Sequence, residues 1–384
     1  MGMLRLYLAL CIVVAHSRHY APFAWLDPLQ AVQVFFLISG FYMELILTRK
    51  YTNTYSFYSN RFLRIFVPYW TCLLLVILVS MMCRAVCGDA LAMKPYFDGQ
   101  TGRNGIFGIC FAAISNITLF FQDAVSFIQD EAGKGVSLVI SMGRVHDPLH
   151  RYLLIPQCWS VSVELLFYLC VPLLHKVRTP WLLVTIAGTM MLRIGGYEWL
   201  GLAYDPWMYR FFVFELGLFV LGMVSCRLYL KLDGQKQFSF VSRKRSGLLV
   251  IAVEILFLTI FVTCNRRMLT GSSAASYRYF VFVTYASLAL LMPVVFMFSS
   301  NSVFDRFVGE LSYPVYLVHF IVIQLLRTVL TRLHADVVPL TMWSMVASVG
   351  AAAALYCAII RPLDRYRESR LRCRITPVKR GQSP

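Results

Sequence analysis

FVPYWTCLLLVILVSMMC, residues 66–83, runs for eighteen positions without a charged side chain. As an α-helix it reaches about 27 Å at ~1.5 Å per residue, against a bilayer hydrocarbon thickness of roughly 30 Å. Nine further apolar runs of spanning length lie at 3–20, 29–47, 159–175, 180–195, 211–229, 247–264, 279–298, 308–330 and 342–360. A weaker one, 106–121, contains Ser115, Asn116 and Thr118 and leads into a long polar region. Of the 384 residues, 59% are hydrophobic and 14% charged, whereas a soluble domain carries about 25% charge. The fold class expected is an all-α polytopic membrane protein of about ten transmembrane helices, embedded in a lipid bilayer.

The net charge of +17 invites a nucleic-acid reading, but the basic residues gather between apolar runs, at Arg227 to Lys236, Arg243 to Arg245 and Arg361 to Arg380. That is the pattern of cytoplasmic loops, and no zinc-finger spacing, basic helix or RNA-binding motif accompanies it. We therefore expect no nucleic-acid partner. Arg49, Lys50, Arg61 and Arg64 place the loop after the second span inside, and hence the N-terminus as well. The basic tail also belongs inside, which requires an even number of spans. Ten satisfies this and eleven does not, so 106–121 reads as a re-entrant or interfacial segment, permitted where its backbone is buried in protein or lines a wet cavity. The first span resembles a signal peptide, yet lacks an evident small-x-small cleavage site and reads as retained. One membrane domain, 1–362, then precedes a basic cytoplasmic tail, 363–384, with no soluble domain appended. The eleven cysteines are scattered, without CxxC; Cys83 and Cys87 lie near a membrane edge but read as unpaired.

Ionisable groups inside spans cost about 2.5–3.5 kcal/mol each on insertion scales, so each is a functional candidate. In LRLYLALCIVVAH, residues 4–16, Arg5 and His16 are eleven positions apart. Eleven steps of ~100° return to within roughly 20° of the start, so the two share a helix face about 16 Å apart along the axis. Alone, Arg5 reads as a snorkelling anchor and His16 equally as a core histidine or a functional one; together they favour a site. Arg61 and Arg64 stand one turn apart at the inner mouth of the third span, fit to contact phosphate oxygens or simply to anchor the helix. In QCWSVSVELLFYL, 157–169, Ser160 and Glu164 share a face. Glu164 is a candidate to orient an imidazole, or to balance an intramembrane cation such as Arg193 or Arg327. GELSYPVYLVH, 309–319, contributes Ser312, Tyr316 and His319. The dispersed histidines include no HExxH and no metal site is expected; GxSxG and GxxxxGK[ST] are absent too.

Taken in order, these stretches resemble the acyltransferase-3 family of bacterial membrane acyltransferases over nearly the whole chain. Arg5-x10-His16 resembles its first-helix Arg-x10-His motif, VFFLISGF (34–41) its FFxLSGF segment and RFLRIFVPY (61–69) its RxxR motif. WSVSVELLFY (159–168) is similar to its WSLxxE stretch, RFFVFELGLFVLG (210–222), with Glu215, to its RxxEFxxG-like segment, and VGELSYPVYLVH (308–319) to its GxxSYxxYLxH motif. The resemblance implies transfer of an acyl group, most often acetyl, from acyl-CoA to a carbohydrate hydroxyl, with acyl-CoA as co-substrate and no resident cofactor. It implies His16 as the base, Arg5 as its first-helix partner, Arg61 and Arg64 as acyl-CoA phosphate contacts, and Glu164 and His319 in supporting roles. It also implies a multi-pass protein of the bacterial inner membrane. From the residues alone, a transporter or flippase for a sugar or anionic substrate suits ten spans with internal charges equally well.

Overall fold

The computed structural model describes residues 1–17, 26–51, 53–98, 104–234, 274–333 and 340–375. Twelve α-helices organise them: α1 (Gly2–Ser17), α2 (Pro28–Arg49), α3 (Thr54–Cys87), α4 (Ile106–Thr118), α5 (Trp159–Leu174), α6 (Thr179–Trp199), the single turn α7 (Trp207–Arg210), α8 (Phe212–Gly234), α9 (Ala274–Ser299), α10 (Val303–Arg332), α11 (Leu340–Leu355) and α12 (Arg361–Ile375). Nine of the ten expected spans have a helix in place; the run at 247–264 lies outside the described residues. Seven helical stretches among the described residues are long and apolar enough to cross a membrane, while α1 is shorter. The only sheet among them is an antiparallel hairpin, β1 (Ile128–Glu131) with β2 (Gly135–Leu138), turning through Gly133 at φ +84°. The chain is an all-α polytopic membrane protein.

Local chemistry sets the helix ends. Asp27 caps α2 by accepting from Leu29 N at 2.7 Å, with Pro28 in the first turn, where its missing N–H costs nothing. Asn53 caps α3 by accepting from Ser56 N, and Gly88 ends it in the left-handed conformation at φ +73°. α3 starts well before its apolar run, so Arg61 and Arg64 stand on the helix itself. At the other end of the sequence, α11 passes through a π-helical turn, Tyr356–Ile360, into α12, so the boundary expected at 362/363 falls within continuous helix.

α1 and α10 run parallel and in contact: the Asp305 carboxylate accepts from Gly2 N and Met3 N at 2.8 Å each, and His16 meets His319 at the far end. α2 and α8 meet backbone to backbone. A Cβ on Gly40 would lie 1.9 Å from Phe219 O, and one on Gly222 would lie 2.0 Å from Leu37 O. Beside this crossing Phe219 stacks on Phe36 (4.6 Å) and Phe167 (4.3 Å), joining α2, α5 and α8.

α4 has 13 residues, about 20 Å of helix, which is short of the hydrocarbon thickness. It packs Ala112 into a small separate core with Val125, Leu149, Tyr152 and Leu153, and leaves Ile106, Phe107, Ile114 and Ile117 exposed on its other side. Among the polar residues that weakened 106–121 as a span, Asn116 is a joint. Asn116 accepts from Leu154 N and donates to Tyr152 O, and its own carbonyl accepts from Tyr69 OH at 2.6 Å. α4, the hairpin and the turns up to Cys158 form a cap over one end of the bundle.

Candidate active site

Between α1, α2, α3, α5 and α10 lies a cavity of about 420 Å³. It is lined by seven of the ten candidate residues: Arg5, Arg61, Arg64, Ser160, Glu164, Ser312 and Tyr316. Arg64 pairs with Glu310 at 3.1 Å, and Arg5 lies over the Tyr42 ring at 5.9 Å. Arg61 has a buried Nε with no hydrogen-bond partner, and its guanidinium is stacked 5.7 Å from the Tyr168 ring. A buried guanidinium N–H without a partner is uncommon, and this one belongs to a residue of the cavity wall.

Glu164 accepts hydrogen bonds from Ser39 and Tyr168. It belongs to the cavity wall with these two as its partners, while the partner of His16 Nδ1 is His319 Nε2, at 2.9 Å. His319 is fully buried, while His16 is exposed at the capped end of the bundle. The shared face of Arg5 and His16 is the side toward α10, where Arg5 is an electrostatic neighbour of Glu310 and His16 bonds His319. Tyr316 joins the cavity to the histidines. Its hydroxyl bonds Ser160 at 2.6 Å and donates to Gln157 O at 2.5 Å, while its carbonyl accepts from His319 Nδ1 at 2.8 Å. Ser312 Oγ donates to Gly309 O at 2.7 Å, closing a local turn of α10.

Glu215 lies elsewhere. It is fully buried, pairs with Arg193 at 3.3 Å and accepts from Gln33 Nε2 at 3.0 Å, which in turn is held by Tyr285. Arg193, considered as a partner for Glu164, is thus the counter-ion of Glu215, and this is a helix-joining cluster. A second such cluster unites Glu44 with Arg227 (2.8 Å) and His175 (3.0 Å). Among the described residues no group of three or more His, Cys, Asp or Glu is placed to hold a metal.

Four further residues around the site lie inside the quoted motifs without standing out in them. Glu310 stands inside the quoted 309–319 stretch, and its signal was an acid at the same membrane end as Arg64. Ser39 and Tyr168 are the neighbours of Glu164. Arg210, at the capped end, is locked by Asp205 at 2.7 Å and lies 4.6 Å over Trp159 and 5.2 Å over Tyr209. Its charge faces both His16 and His150. In the cap, burial and then the Arg210 charge push His150 down to about 4. Burial pushes the Asp123 carboxyl up, although it accepts from Ser162 Oγ at 2.6 Å.

A helical membrane bundle with basic side chains around a cavity at one end and a histidine pair at the other is the framework on which the comparison with known families falls. The model of the acyltransferase-3 family, described as an acyltransferase domain, matches residues 2–361, and the chain belongs to that family. It is a membrane acyltransferase. No curated protein and no solved structure matches it.

Proposed function

We propose that this acyltransferase moves an acyl group, acetyl in the simplest case, from acyl-CoA to a hydroxyl of a cell-surface or lipid-linked glycan. The observation that carries this reading is the cavity, which presents Arg5, Arg61 and Arg64 together and extends to Ser160 and Tyr316, beside the His16–His319 pair. A polyanionic donor is attracted to the arginines, with the unpaired Arg61 Nε supplying a hydrogen bond to a phosphate oxygen. The thioester then lies toward His16. The His16 imidazole takes the proton of the acceptor hydroxyl as its oxygen attacks the thioester carbonyl. The C–S bond breaks, the new ester leaves, and the imidazolium returns the proton to the departing CoA thiolate.

The reading places the protein in the bacterial inner membrane with the N-terminus and α12 cytoplasmic. Arg49, Arg61, Arg64 and Arg367 all belong to the end of the bundle where α1 begins, which suits the positive-inside rule and a cytoplasmic donor. The capped end, with His16, then faces the acceptor. Purified protein in nanodiscs is expected to bind labelled acetyl-CoA, and Arg61→Ala/Arg64→Ala to abolish that binding. His16→Ala is expected to bind donor and fail to transfer to a mixture of lipid-linked glycans. Donor binding unchanged in the double variant, or full transfer by His16→Ala, overturns the respective assignment.

A further inference from the structure

His319 is fully buried on α10, and both of its ring nitrogens are engaged. Nδ1 lies 2.8 Å from the Tyr316 carbonyl oxygen. A carbonyl only accepts, so Nδ1 carries a hydrogen. No carboxylate contacts this ring among the described residues. An imidazolium buried without one is costly, so the ring is neutral and its Nε2 holds a lone pair. The nitrogen 2.9 Å away is His16 Nδ1. It must therefore be the donor, which leaves the lone pair of a neutral His16 on Nε2.

The surroundings hold this arrangement in place. The Tyr316 carbonyl also accepts from Gln157 Nε2 at 3.2 Å, and the Tyr316 hydroxyl is pinned between Ser160 and Gln157 O. The two imidazoles lie nearly parallel, 8° apart with centroids 5.1 Å distant, and Phe320 meets the His16 ring edge-on at 90°. Neither the tautomer of His16 nor its ring plane is left to solvent.

We propose that His319 is a positioning residue: its Nε2 fixes His16 in the Nδ1–H tautomer, so that Nε2 is the nitrogen that takes a proton from the acceptor. The inference rests on the reading of His16 as the base. The proton received at His16 Nε2 is the one handed on to the leaving thiolate. His319 gains none, because an imidazolium at this fully buried ring would have no carboxylate beside it. The role is that of an orienting acceptor, filled in hydrolases with a catalytic triad by a carboxylate and here by a neutral ring.

The test uses the full chain in nanodiscs, with histidine labelled by ¹⁵N and the His16 resonances assigned by their loss in His16→Gln. Wild type is expected to show a protonated Nδ1 and a lone-pair Nε2 at His16. His319→Gln places an amide oxygen near the former Nε2 and is expected to keep that tautomer and most of the transfer rate. His319→Asn places its amide near the former Nδ1, bonds Tyr316 O and leaves His16 unsupported. It is expected to yield a mixed tautomer and a kcat lowered about tenfold or more, with acetyl-CoA binding intact. Arg210 is the other charge that faces His16, so its variant Arg210→Gln serves as a control that shifts the pH profile of transfer without changing the tautomer. A wild-type His16 protonated at Nε2, or Gln and Asn variants with the same tautomer and rate, overturns the proposal. Full transfer by His16→Ala would instead remove the base assignment while the tautomer result stood.

Discussion

Single buried charges in this protein are legible only through their partners. Glu215 and Arg193 lie on different helices and neutralise each other at 3.3 Å, with Gln33 and Tyr285 completing the cluster. Removing one member strands the other, at about 3–5 kcal/mol. Arg193→Met is expected to lower the thermal unfolding temperature in detergent sharply, and Arg193→Met/Glu215→Gln to recover part of the loss. Acetyl-CoA binding at low temperature should survive in both, since neither residue lines the cavity. His150 offers a residue-level test in the cap. Its imidazole sits near 4 when folded, against ~6.5 when exposed. As pH falls below ~6.5 the unfolded chain takes up this proton first, so His150 subtracts stability progressively down to about 4 and nothing above ~6.5. Asp123, pushed up by burial, works in the opposite sense. The comparison of wild type with His150→Gln isolates the histidine: the variant's unfolding temperature is expected to fall less steeply between pH 6.5 and 4, and parallel slopes would refute this.

Whole helices repeat the lesson at larger scale. Apolar run length located the spans, and α1 placed Arg5 and His16 toward the same neighbour, as eleven residues of helix require. Local sequence also marked 106–121 as unlike a span, through Ser115, Asn116 and Thr118. It did not reveal what those polar groups bond to, nor that Glu164 would face Ser39 and Tyr168 while His16 met His319. Spacing along one helix fixes a face; which helix that face meets is set by packing across more than a hundred residues of chain. Nor was the β1–β2 hairpin foreseen, because strands of four residues are too short for an alternating pattern to stand out. Gly40 is a case where the motif was visible and its reason was not. Only a residue without Cβ lets α2 approach Phe219 O, as Gly222 does for Leu37 O. Gly40→Ala or Gly222→Ala is expected to force α2 and α8 apart and to cut the yield of folded protein severely. Gly188→Ala, where a Cβ meets nothing within 4 Å, should be tolerated, and size-exclusion profiles of the three variants make the comparison.

Over the whole molecule, one helix carries both halves of the site. Glu310, which holds Arg64, and His319, which holds His16, are nine residues apart on α10. At ~1.5 Å per residue, that is a fixed stride of about 13.5 Å. The helix makes a ruler, and on the proposed reading a donor gripped by its phosphates at one mark must be long enough to bring its reactive carbon to the other. A thioester shorn of its nucleotide, such as S-acetyl-N-acetylcysteamine, touches only one mark and forfeits the anchorage that positions it. Its kcat/KM is expected to fall by orders of magnitude below that of acetyl-CoA. Free adenosine 3′,5′-bisphosphate added beside it should restore nothing, because two unjoined fragments cannot be measured against one length. Equal kcat/KM for the truncated and intact thioesters would mean that the arginine mark plays no part in bringing donor and base together.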